Sequence, residues 1–201
     1  MMLSSFRRIR YDHRTYMHPQ EHDPRLTKLL AQLLNSAALV FFIQGILVVQ
    51  PTHTAKQKKE GTYAHAALND VALLSALAGL VVIEYNKISH GGTHFVSPHA
   101  ILGLITYILV LIQAVVGITQ YFVPALYGGV ENAKKLYKYH RVGGYVILLA
   151  MLVTVALATQ TDYNKNVLQI QLWAVVVGAV ILLIGVVPRI RLSKFGYLAG
   201  R

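Results

Sequence analysis

The chain has 201 residues, 55% hydrophobic and only 13% charged, about half the charged share usual in soluble domains, and its mean hydropathy is +0.48. A chain this apolar cannot clothe a soluble globule, so a membrane class comes first. It has no cysteine, which excludes disulfide staples, zinc-thiolate sites and iron–sulfur clusters, and its formal charge of +11 does not indicate nucleic acid, because the basic residues lie outside the apolar runs, as they do in loops flanking membrane spans.

In chain order, the first stretch "MMLSSFRRIRYDHRTYMHPQEHDPRLTK" is polar and of mixed charge. It lacks the apolar core of a signal peptide, and residues 1–29 are expected to form a poorly ordered extension. Five segments then carry the roughly 20 apolar residues that cross a bilayer as a helix: 30–50, 66–86, 99–123, 141–160 and 167–187. They are bounded by "QPTHTAKQKKEG", "NKISHGGTHFVSP", "ALYGGVENAKK", "TQTDYNKN" and "PRIRLSK", all rich in turn or charge signals. Short linkers make consecutive helices antiparallel neighbours. The expected fold is all-α, an integral membrane bundle of five transmembrane helices over 30–190 with a basic tail at 191–201.

Alternating spans sort the connections into two sets. The 51–65 and 124–140 stretches and the C-terminal tail share one side with most of the basic residues, while the opposite loops hold only Lys87 and Lys165. The positive-inside rule puts the first set in the cytoplasm. The N-terminal extension then falls outside despite Arg7, Arg8, Arg10, Arg14, Arg25 and Lys28, a conflict that marks this stretch as atypical.

Three apolar segments are led by a histidine: His65, His99 and His140. Read as helix mouths, His65 and His140 share the cytoplasmic level, and His99 lies near the opposite face. Two neutral imidazoles on separate helices at one depth suit a six-coordinate haem iron, a metal ion or a proton site, and spacing alone does not choose between them. Histidine at a helix mouth also serves as an interfacial residue. Lys59, Lys138 and Arg141 stand at the same boundary, where they suit the propionates of a macrocycle or simply hold the loops inside. Asn69 falls on the His65 face at i+4, either orienting the imidazole or bonding another helix. Glu84 lies near the far end of its helix, and Gly143 and Gly144 beside His140 admit a close neighbour. His90 and His94 in "HGGTH" lack a nearby thiol or carboxylate in sequence and make a weak metal signal.

"YAHAALNDVALLSALAGLVVIEYNK", "SPHAILGLITYILVLIQAVVG" and "YKYHRVGGYVILLA" resemble successive histidine-led core helices of the cytochrome b561 family, and the wording is most similar to its fungal, single-module members. The resemblance covers about residues 33–190. It implies a bundle normally of six helices with four in the core, two b-type haems, and electron transfer from cytosolic ascorbate to monodehydroascorbate or a ferric chelate. It further implies that His65 pairs with His140 at one haem and that His99 holds the other, with a partner from the preceding core helix. Similar sequences have His-Pro before Leu33-Leu34-Asn35, where this chain has Ala31-Gln32. One haem b is therefore expected at His65 and His140, with the second in doubt, and the stretch before about residue 33 is expected to be a replaced N-terminus. The resemblance implies ascorbate-dependent oxidoreductase or ferric reductase activity, with lipid, haem and ascorbate as partners, the anionic ascorbate docking at Lys59, Lys138 and Arg141, and homodimerisation as a further expectation. The competing expectation is a haem-deficient, non-enzymatic membrane protein.

Overall fold

A computed structural model describes residues 23–190; the expected extension at 1–22, with His13, His18 and His22, and the tail at 191–201 lie outside the described residues. Five helices follow one another: α1 (Pro24–Val48), α2 (Ala55–Ser89), α3 (Pro98–Phe122), α4 (Val130–Ala158) and α5 (Leu172–Val186). Each of the five is long and apolar enough to cross a membrane, the last counted together with its closing turn. No strand occurs among the described residues, and the all-α bundle expected from the sequence is what the chain forms.

Helix starts follow local chemistry. Pro24 and Pro98 open α1 and α3, where a missing N–H costs nothing, and Asp23 and Ser97 cap them by accepting from Arg25 N at 2.8 Å and Ala100 N at 3.1 Å. Helix α1 thus begins six residues before the apolar run and takes up part of the stretch expected as extension. Thr54 and Gln57 form a reciprocal capping box at α2, Gln57 N donating to Thr54 Oγ1 at 3.2 Å and Thr54 N to Gln57 Oε1 at 3.1 Å.

That cap sets α2 ten residues ahead of His65, and α4 likewise begins ten residues ahead of His140. The expectation that both histidines stand at helix mouths is corrected: they lie well inside their helices, and most of 51–65 and 124–140 is helical rather than loop. The polar stretches "AKQKKEGTYA" and "VENAKKLYKY" are rich in good helix formers and carry exposed pairs, Lys56–Glu60 and Lys134–Glu131, so the helices run on beyond their apolar parts. Only His99, the second residue of α3, opens a helix.

Helices α1 and α2 pack tightly as a hairpin, as do α3 and α4. The first seam is made of small residues, with Ala31, Ala38 and Gly45 facing Ala72, Ala76 and Gly79, all buried, so backbones approach closely where lipid offers no hydrophobic driving force. Phe42, Val110 and Ile147 close the core between the two hairpins, and Val186 of α5 packs on Ile43, Leu148 and Leu152. Large apolar side chains point outward along the spans, among them Leu74, Val81, Trp173 and Ile184, as contact with lipid requires.

A polar node pins the middle of the bundle. Tyr107 of α3 shares its hydroxyl hydrogen between Asn35 Oδ1 of α1 and Ala76 O of α2, the latter at 3.0 Å. Tyr107→Phe leaves the Asn35 oxygen without this donor, and we expect a loss of about 1 kcal/mol, between the ~0.6 mean and ~1.7 maximum of such bonds in membrane bundles, read by unfolding in micelles.

Contacts also define two ends. At one, Tyr63 of α2 stacks edge-on against Tyr121 of α3, ring centroids 5.9 Å apart, and Gln50 Nε2 donates to Tyr145 OH of α4 at 2.9 Å. At the other, Asn86 of α2 donates to Thr27 Oγ1 of α1, Gln32 Nε2 donates to Asn164 Oδ1 at 3.3 Å and Tyr163 OH donates to Arg25 O at 3.1 Å.

Candidate functional site

At the first end, the rings of His65 on α2 and His140 on α4 face each other with centroids 6.3 Å apart and planes at 78°. His65 Nδ1 lies 2.8 Å from Gly45 O of α1. A carbonyl only accepts, so Nδ1 carries the proton and donates to it, and Nε2 of the neutral ring keeps a free lone pair. Asn69, one turn further along α2, donates Nδ2 to the His65 carbonyl at 2.6 Å and sits 3.2 Å from His65 Nδ1. Of its two expected roles, what the structure contains is a bond within its own helix, beside the imidazole.

Helix α3 supports the other ring. A Cβ at Gly117 would stand 2.8 Å from His140 Cε1, so the imidazole seats only because this residue has no side chain. Gln113 donates Nε2 to the His140 carbonyl, and Gly143 packs on the Gln113 side chain, the close neighbour expected there.

Among the basic residues, Lys59 and Lys138 are exposed and Arg141 is half-buried. Lys138 Nζ lies 5.0 Å from the Tyr139 ring centroid, a cation–π contact. All three stand towards the start of α2 or α4, at the end that holds the imidazole pair.

His99 occupies the opposite end. Its Nδ1 donates to Thr154 O of α4 at 3.0 Å, which again leaves Nε2 unprotonated, yet its ring is paired with no other imidazole among the described residues. His90 Nδ1 donates to Asn86 O at 2.8 Å, and His94 pairs with Glu84, which also holds Lys87 at 3.2 Å. Glu84 is thus tied to the end of its own helix and the loop beyond. No group of three or more histidine, aspartate or glutamate side chains forms a metal cage among the described residues.

An internal two-fold relates α1 to α2. Asn35 donates Nδ2 to Ala31 O at 2.8 Å as Asn69 does to His65 O, and each asparagine packs on a glycine of the other helix, Asn35 on Gly79 and Asn69 on Gly45. The spacing is the same in both, 31/35/45 against 65/69/79. Buried Ala31, 4% exposed, therefore holds on α1 the place that His65 holds on α2. Gly79 lies fourteen residues from His65, which at 1.5 Å per residue separates the two levels by about 21 Å. The i+4 spacing placed Asn69 beside His65 but did not connect it with Asn35; the 34-residue repeat of Asn and Gly at 35/45 and 69/79 was the signal that could have linked them.

A bond from metal to imidazole nitrogen of about 2 Å on each side brings two opposed ring centroids to roughly 6 Å, the separation of His65 and His140. The pair thus has the spacing for the iron of a b-type haem, whereas no second imidazole is paired with His99 among the described residues.

A family model described as eukaryotic cytochrome b561 matches residues 30–165, which takes in His65, His99 and His140, most of α1 and the whole of α2, α3 and α4. No curated protein matches the chain. The matched family binds b-type haem and transfers electrons across membranes. The match spans more than half of the 201 residues, and the chain belongs to the eukaryotic cytochrome b561 family.

Proposed function

We propose that the protein is an ascorbate-driven electron carrier whose single well-formed haem site uses His65 and His140 as axial ligands. The 6.3 Å approach of the two rings is the observation that carries this reading. When bound, a b-type haem supplies one-electron chemistry, and the chain's own residues have three tasks. Gly45 O holds the His65 proton on Nδ1, so the opposite nitrogen is always ready to bind. Gly117 gives the His140 ring room. Gln113, donating to the His140 carbonyl, ties α3 to α4 beside that ring.

The donor is an anion. Ascorbate is negatively charged at neutral pH, and a basic rim attracts it and raises its encounter rate. Lys59, Lys138 and Arg141 form that rim in this reading, and the positive-inside rule assigns it, with the 49–54 and 123–129 connections and the C-terminal tail, to the cytoplasm. The acceptor, monodehydroascorbate or a ferric chelate, is reduced on the far side.

Ala31 qualifies the far side. By the internal two-fold it stands where a partner for His99 belongs, so the second haem of the family lacks an axial ligand among the described residues, and onward transfer over about 21 Å is the slow step. A haem-deficient bundle remains the second reading, resting on the same alanine.

Reversing the rim tests the donor. Lys59→Glu combined with Lys138→Glu is expected to slow reduction by ascorbate on the order of tenfold at low salt and to flatten its dependence on ionic strength, as read by stopped-flow absorbance. An unchanged rate and an unchanged salt slope would remove the rim from the mechanism.

A further inference from the structure

Beside the imidazole pair, between the end of α3 and the start of α4, lies an open cavity of about 400 Å³ lined by Gln113, Gln120, Tyr127, Tyr139 and His140 among others. Two buried polar atoms, Gln120 Oε1 and His140 Nδ1, have no hydrogen-bond partner among the described residues. Both belong to side chains that line this one cavity. Gln120 is only 4% exposed, and native interiors seldom leave such groups unsatisfied.

The three histidines differ at this atom. His65 gives its Nδ1 proton to Gly45 O and His99 gives its own to Thr154 O. Thr154 lies fourteen residues after His140, and Gln113 fourteen after His99. Where that correspondence would offer His140 the Gln113 carbonyl, the Gln113 side chain instead donates Nε2 to His140 O. His140 Nδ1 is left with no partner of its own among the described residues.

We propose that a water molecule in this cavity joins His140 Nδ1–H to Gln120 Oε1, making Gln120 a positioning residue for the His140 imidazole. The complement is chemically complete: Nδ1–H donates to the water, and the water donates to the amide oxygen. Water in a polar cavity needs two to four partners and room for one probe sphere; the orphaned pair supplies two, in a cavity of about 400 Å³. The bridge fixes the proton on Nδ1 and strengthens Nε2 as a ligand, as outer partners of metal-bound histidines do. This inference rests on His140 as an iron ligand.

The test compares Gln120→Met, which keeps length and removes the acceptor, with Gln120→Glu, which keeps an acceptor. A weaker ligand favours reduced iron, so the Met variant is expected to raise the midpoint potential by about a tenfold change in the oxidised-to-reduced ratio, 59 mV for one electron. The Glu variant should stay at or below the wild-type value. An unmoved potential in the Met variant, or equal rises in both, overturns the bridge. A chain that binds no haem overturns the ligand reading instead. The ¹⁵N resonance of His140 Nδ1 in haem-free protein then decides the bridge: a shift between wild type and Gln120→Met supports it, and identical resonances refute it.

Discussion

Replacing Ala31 with histidine is expected to double the haem content of the purified protein, from one to two per polypeptide. The substitution puts an imidazole where the α1–α2 two-fold already supplies every other element of the His65 setting. The Asn35 amide bonds the carbonyl of residue 31, and Gly79 packs against Asn35 from α2 as Gly45 packs against Asn69. His99, at the same end of the bundle, is already oriented by Thr154 O at 3.0 Å. The expected signature is a second low-spin b-type signal added to an unchanged first one, with faster transfer across the membrane. The added signal should disappear on His99→Ala in the same background. A variant that folds and keeps its first haem but gains none would show that the two-fold does not extend to ligand binding.

The second large effect comes from the pair itself. His65→Ala and His140→Ala are each expected to abolish the b-type absorbance, because one imidazole cannot hold the iron in a low-spin, six-coordinate state. His99→Ala should leave the reduced spectrum within a few percent of wild type, since no second imidazole pairs with it among the described residues. Reduced-minus-oxidised spectra normalised to polypeptide make the comparison, and circular dichroism checks that the helices persist. Loss of all haem on His99→Ala alone would contradict the assignment.

Much of this was legible in the sequence. Apolar runs of about 20 residues announce spans whatever their packing, so five helices and an all-α bundle could be read directly. Depth was legible too, because His65 and His140 precede comparable apolar runs on helices running the same way. Helix starts were not. Hydropathy reports where lipid begins, whereas α2 starts at a capping box on Thr54 and α4 after Gly129, both in polar chain that folds as helix outside the apolar zone. The partners of the imidazoles were hidden for another reason. Two are backbone carbonyls, of Gly45 and Thr154, and a carbonyl has no residue type. Gln120 was hidden because its importance lies in burial beside His140, which no spacing rule reports. Ala31 could have been found, since the repeat of Asn and Gly at 35/45 and 69/79 points back to residues 31 and 65.

Haem quantified per polypeptide in the purified wild-type protein tests the central claim most directly. One haem, low-spin and lost with either His65 or His140, is the predicted result. None at all, or two in the chain with Ala31 intact, would contradict it.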